Sequence, residues 1–174
     1  MAWYVMRDLK RANALEPAWK VLSGLGFRVF TPMRSEVVSR YGRRVAELRA
    51  FMPDLLFVES ERAVLDPVVA RIPTLQYRFL RGQGAGAVMQ VRDADMERFM
   101  AAVSGEYGEV RFYRPDEITP SMIGREIRII GGALDGQCVR LLSKRGLRLP
   151  RLLVELPGVL TATVTVTPEM VEMV

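Results

Sequence analysis

The sequence predicts an α+β protein in two parts, an α/β sandwich followed by a small β-barrel. Three observations carry that expectation. Strand-like and helix-like patterns alternate through residues 1–108. Residues 105–120 then hold Gly105, Gly108, Pro115 and Pro120 with little apolar periodicity, the composition of a linker. Beyond them, four short apolar stretches follow one another closely between glycines and prolines, as in a small barrel. The expected division is a first domain over 1–108, a linker over 109–120 and a barrel over 121–174.

Trp3-Tyr4-Val5-Met6 is aromatic and β-branched and reads as the first strand. Asn13 and Glu16 have the spacing of a capping box, with Pro17 in the first helical turn. Leu15, Ala18, Trp19 and Leu22 then mark one buried helical face, ended by Gly24 or Gly26. Residues 27–30 form a short strand stopped near Pro32. A hairpin follows over residues 34–49, with Tyr41-Gly42-Arg43-Arg44 at its bend and Gly42 supplying a positive φ.

Phe51-Met52-Pro53-Asp54-Leu55-Leu56-Phe57-Val58 is too apolar for a loop and reads as a short, mostly buried strand. Pro53 lacks an N–H, so the strand begins there or lies at an edge. On a sheet covered on one side, Leu56 and Phe57 cannot both face the core. Asp66-Pro67 reads as an N-cap with proline at the first helical position. Residues 74–80 and 87–91 are further strands around a glycine-rich loop. That loop lacks the Lys-Ser/Thr of a phosphate cradle and the Rossmann spacing. Asp93 caps a helix carrying Met96, Phe99, Met100 and Val103 on one side. In the second part, strands fall at Ile127-Arg128-Ile129 and over residues 139–142, 152–156 and 162–166.

Charge is uneven. Residues 1–50 carry 10 Lys/Arg and 4 Asp/Glu, whereas the other 124 carry 15 and 16. The excess of positive charge therefore sits in the first part of the chain, which favours a local polyanion contact. A solvated hairpin beside a core strand has the same composition, so residue types alone leave both readings open. With no histidine, His-dependent triads and His metal ligands are excluded. The single cysteine, Cys138, cannot make an internal disulfide or a thiolate zinc site. No constellation of carboxylates suggests a hydrolase, and no catalytic residue, metal or cofactor is expected. No signal peptide or long apolar run appears, so the expectation is a soluble cytoplasmic protein without a membrane contact.

Trp3-Tyr4-Val5, the first helix, Phe30-Thr31-Pro32-Met33, the basic hairpin and the 51–58 strand together resemble the N-terminal domain of NusG-type transcription elongation factors. Ile127-Arg128-Ile129-Ile130-Gly131-Gly132-Ala133-Leu134-Asp135-Gly136 looks like the start of the KOW module, an SH3-like barrel, that follows it in that family. The stretch from Leu153 through Glu169 is most similar to the UpxY-type antiterminators of polysaccharide operons. The resemblance implies a non-enzymatic, monomeric factor that suppresses pausing and termination in long polysaccharide-synthesis operons. It implies RNA polymerase as partner, through the clamp helices of the β′ subunit, with Tyr4, Met52, Leu55 and Phe57 as the docking surface. It further implies contact with upstream or non-template DNA through Lys10, Arg11, Arg40, Arg43 and Arg44. Gly132 and Gly136 would serve turns of the KOW module, whose partner, Rho or a ribosomal protein in NusG itself, is left unassigned.

The chain departs from the family pattern in four places. Asp54 stands where a glycine is usual, Leu55 where an aromatic is usual, and Val139 where a glycine often stands. Asp66-Pro67-Val68 falls near the polar patch that one specialised paralogue uses against the β subunit. A KOW-containing protein that binds the ribosome or RNA is the competing reading.

Overall fold

The computed structural model describes residues 1–11, 14–82 and 86–174 and divides after Asp93 into two units, Met1–Asp93 and Ala94–Val174. The first unit runs β1 (Ala2–Asp8), α1 (Ala18–Gly24), β2 (Arg28–Phe30), β3 (Met33–Arg40), β4 (Arg43–Ala50), β5 (Leu55–Ser60), α2 (Arg62–Arg71), β6 (Leu75–Tyr77) and β7 (Gln90–Val91). A third helix, α3 (Asp93–Val103), begins at the division. In the main sheet β1 pairs antiparallel with β5 along its length and with β6 and β7 on its other edge, and β2 extends the sheet beyond β5. The hairpin β3–β4 is a separate two-stranded sheet.

Side-chain alternation sorts β1 and β5 into two faces. Tyr4, Met6, Leu56 and Val58 pack with Ala18 and Leu22 of α1 and Leu65 of α2. Trp3, Val5, Leu55 and Phe57 point the other way and are at most 1% exposed. Both faces are thus buried, which corrects the expectation of a sheet covered on one side. The physical sign was the unbroken apolar run at the start of β5, which leaves no polar side for water.

Helix α1 begins later than its capping-box spacing suggests. Pro17 is the residue before the helix, with no side-chain cap of its own. Asp8 supplies the cap from β1: its buried carboxylate accepts from the Ala18 backbone N–H at 2.7 Å and the Lys10 N–H at 3.0 Å. Asn13 lies outside the described residues, and Leu15, expected in the buried face, is 92% exposed ahead of the helix. The other end follows the sequence. Phe27 N–H bonds Leu22 C=O and Gly26 N–H bonds Ser23 C=O, the paired closing bonds of a Schellman motif.

Helix α2, by contrast, starts earlier than expected, so Pro67 lies inside it. Asp66 does not cap a helix. Its carboxylate accepts from Arg62 Nε and from the Tyr77 hydroxyl, both at 2.7 Å. These two donors hold the carboxyl below its ordinary pKa, Tyr77 contributing most. β5 begins at Leu55, two residues beyond Pro53.

The second unit is built from α3 and six strands, β8 (Val110–Tyr113), β9 (Ile123–Ile129), β10 (Cys138–Leu142), β11 (Arg151–Leu156), β12 (Leu160–Thr165) and β13 (Val171–Met173). They form one antiparallel sheet in the order β13-β9-β10-β11-β12-β8. The stretch of linker composition therefore contributes a strand, β8. Phe112 of β8 stacks on Phe99 of α3 with ring centroids 6.4 Å apart. The expected barrel does not close among the described residues: β8 occupies the outer edge of β12, and β13 ends the ladder beside β9. Where β11 meets β12, Arg151 is buried and fully engaged. It donates to Thr163 Oγ1, Thr165 Oγ1, the Glu109 carboxylate and the carbonyls of Glu109 and Thr163.

Candidate nucleic-acid interface

The hairpin β3–β4 is regular from base to tip, pairing Met33 with Ala50 and Arg40 with Arg43. Its two-residue bend is Tyr41-Gly42, with φ of 50° and 75°. That sign pattern belongs to the type I′ turn, which follows the right-handed twist of a two-stranded ribbon. Glycine meets the requirement at no cost, whereas tyrosine does not.

Alternation gives the hairpin a charged face and an apolar one. Arg34, Glu36, Val38 and Arg40 lie opposite Arg49, Glu47, Val45 and Arg43, and Ser35, Val37 and Ser39 lie opposite Leu48, Ala46 and Arg44. On the charged face Arg40 and Arg49 both donate to Glu47, and Arg34 donates to Glu36 at 2.7 Å. The Arg40 hydrogen bond is the main reason the Glu47 carboxyl is held below its ordinary pKa.

Arg43 and Arg44 are exposed and have no ion-pair partner among the described residues. They project from opposite faces just past the bend. Of the five expected cationic contacts, these two are the ones free at the tip, and Arg40 is committed to Glu47. Lys10 is half-buried, its Nζ donating to the Glu16 carbonyl at 2.7 Å, and Arg11 is exposed.

The four apolar residues expected to form one docking surface are not on one surface. Tyr4 is 5% exposed and lies edge-on to Tyr77, centroids 5.7 Å apart, on the face packed by α1 and α2. Leu55 and Phe57 lie on the opposite face and are buried, Phe57 against Phe30 with centroids 6.0 Å apart. The cause is strand register: Tyr4 is directly opposite Val58, and Val5 opposite Phe57. Met52 alone stays half-buried, in the turn before β5, where its carbonyl accepts from the Leu55 N–H.

Asp54, where the resemblance leads one to expect glycine, clamps two arginines. Its Oδ2 accepts from Arg78 at 3.0 Å and from Arg7 at 3.3 Å. Burial lowers the Arg78 pKa, and Asp54 offsets part of that effect. The Asp54 carbonyl accepts from the Asp8 N–H, which ties the turn to β1. Nothing in residue types alone pointed to this clamp, because its members lie 24 and 47 positions from Asp54.

In the second unit Gly132 and Gly136 both have positive φ, 73° and 75°. Gly132 also permits a close approach: a Cβ there would sit 2.7 Å from the Tyr107 hydroxyl. That hydroxyl donates to the Gly131 carbonyl and accepts from the Leu134 N–H, and Glu106 accepts from the Ala133 N–H. The 130–137 loop is therefore fixed from the chain just after α3. Val139 is buried in β10.

Among the described residues no group of three or more acidic, Cys or His side chains is placed to hold a metal, and no helix is long and apolar enough to cross a membrane. No curated protein matches the chain. A protein-family model described as "Transcription termination factor nusG" matches residues 1–100. The match spans β1 through most of α3, including the basic hairpin and the Asp54 turn, and covers more than half of the sequence. The chain therefore belongs to the NusG family of transcription elongation and termination factors, which are not enzymes.

Proposed function

We propose that the protein is a transcription elongation and antitermination factor that binds RNA polymerase and the nearby DNA, reducing pausing and termination without chemistry of its own. The observation that carries this reading is a hairpin with unpaired arginines at its tip, set within the matched family region. Arginine forks to phosphate and stacks on unpaired bases, which suits upstream DNA and an exposed non-template strand. Arg43 and Arg44 are the primary contacts, with Arg11 and Lys10 as secondary ones.

For the polymerase, the accessible point is the turn at Met52, whereas Leu55 and Phe57 are buried. The partner element in this reading is the β′ clamp helices. Tyr4 serves the core instead. The second unit is read as a KOW-type module and the whole chain as a cytoplasmic, UpxY-like monomer acting on polysaccharide operons. The compact loop at Gly132 and Gly136 supports only the KOW part of that reading.

Pull-down of core RNA polymerase, followed by readthrough at a terminator in vitro, tests the proposal. Retention of polymerase with increased readthrough is expected. Absence of both, or co-sedimentation with ribosomes in place of polymerase, would overturn it.

A further inference from the structure

At the hairpin tip the sequence works against the stability of the hairpin. Tyr41 is the one non-glycine residue with positive φ among the described residues. For a bulky side chain that is a genuine backbone outlier, at a position where Asn, Asp or Gly is favoured. Its ring makes no use of the fold, being fully exposed at 103%. The flanking pair is also unfavourable, since Arg40 and Arg43 stand directly opposite each other, and like charges across strands repel. Of these two arginines Glu47 relieves only Arg40. Local choices that disfavour the fold without a structural return are expected at functional positions.

We infer that Tyr41 is a stacking residue for an unpaired nucleic-acid base, held at the tip by the I′ turn while Arg43 and Arg44 take the phosphates on either side. An aromatic face beside unpaired cations is the combination that binds single strands, because every base offers a π-face and every linkage a charge. Duplex DNA keeps its bases stacked on one another and offers this ring nothing. The inference rests on the proposed nucleic-acid contact of the hairpin and adds the strand form it selects.

The test uses the full chain and fluorescence anisotropy with three probes: an unpaired DNA strand, a base-free strand of equal length and charge, and the matching duplex. Tyr41→Ala should weaken binding to the unpaired strand by about 5- to 150-fold, the range for one lost base–aromatic stack. It should barely change binding to the base-free strand or the duplex. Tyr41→Phe should retain affinity. Tyr41→Asn, a better turn residue, should lose affinity while its melting temperature stays level or rises, so that loss cannot be ascribed to misfolding. An RNA strand bound more tightly than DNA and equally dependent on Tyr41 would support stacking with RNA as the source of the base.

Unchanged affinity of Tyr41→Ala for the unpaired strand would overturn the inference. If Arg43→Ala/Arg44→Ala still weakened binding in that case, the hairpin contact would survive and only the stacking would fall. If the unaltered chain bound no probe, both would fall together.

Discussion

The strand pairs β1–β5 and β3–β4 are both regular antiparallel ladders in the first unit, yet they meet opposite fates. In the first, Trp3, Val5, Phe57 and Val58 are completely buried. In the second, Val37 and Leu48 are 70% and 76% exposed and no residue of either strand is fully buried. Strand pairing is therefore common to both, and only the layers around the strands differ. β1–β5 is held by apolar burial on two faces. The hairpin is held by its ladder and by the exposed ion pairs of Arg34, Arg40 and Arg49, and such pairs contribute little each and weaken with salt. A region kept in shape so lightly is free to present its tip to a partner.

The contrast is sharpest under core truncation. Phe57→Ala should cost about 3–5 kcal/mol in urea unfolding, the range for deleting a buried aromatic, whereas Leu48→Ala should stay within about 0.5 kcal/mol. Equal losses at the two positions would break the comparison. Asp8→Ala should come next, at about 1–3 kcal/mol, because it leaves the Ala18 and Lys10 N–H groups without their acceptor. A loss below that range would mean that water replaces the carboxylate.

Acid should loosen the hairpin before the main sheet. The Glu47 carboxyl has a folded pKa below its ordinary value, so its pairs contribute stability that is fully present above the usual carboxylate pKa of about 4 and is lost as pH falls through the depressed value. Hydrogen exchange, corrected for intrinsic rates, should show β3–β4 amides losing protection in that window while β1–β5 amides keep theirs. Glu47→Gln should remove the pH dependence, although the effect is small at so exposed a site.

Much of this was legible in the sequence. The Tyr41-Gly42-Arg43-Arg44 bend located the hairpin, although the turn itself is only Tyr41-Gly42 because Arg43 already pairs with Arg40, and the apolar run located β5. Helical spacing from Asp93 located α3. What stayed hidden depends on side-chain and strand pairings that local spacing does not announce. The cap of α1 comes from Asp8 at the end of β1, so the local Asn13–Glu16 spacing misled, and Asp66-Pro67 imitated a helix start while Asp66 was engaged with Arg62 and Tyr77. The docking residues were separated by strand register, since Tyr4 pairs with Val58 and not Phe57. β8 was missed because its four residues carry the composition of a linker and become a strand only against β12.

The central claim is that the hairpin tip is a nucleic-acid contact, and the salt dependence of DNA binding tests it most directly. The account predicts a linear fall of log K with log salt for the unaltered chain, and for Arg43→Ala/Arg44→Ala a weaker affinity with a slope shallower by about 1–2. An unchanged affinity and an unchanged slope in the double variant would contradict it.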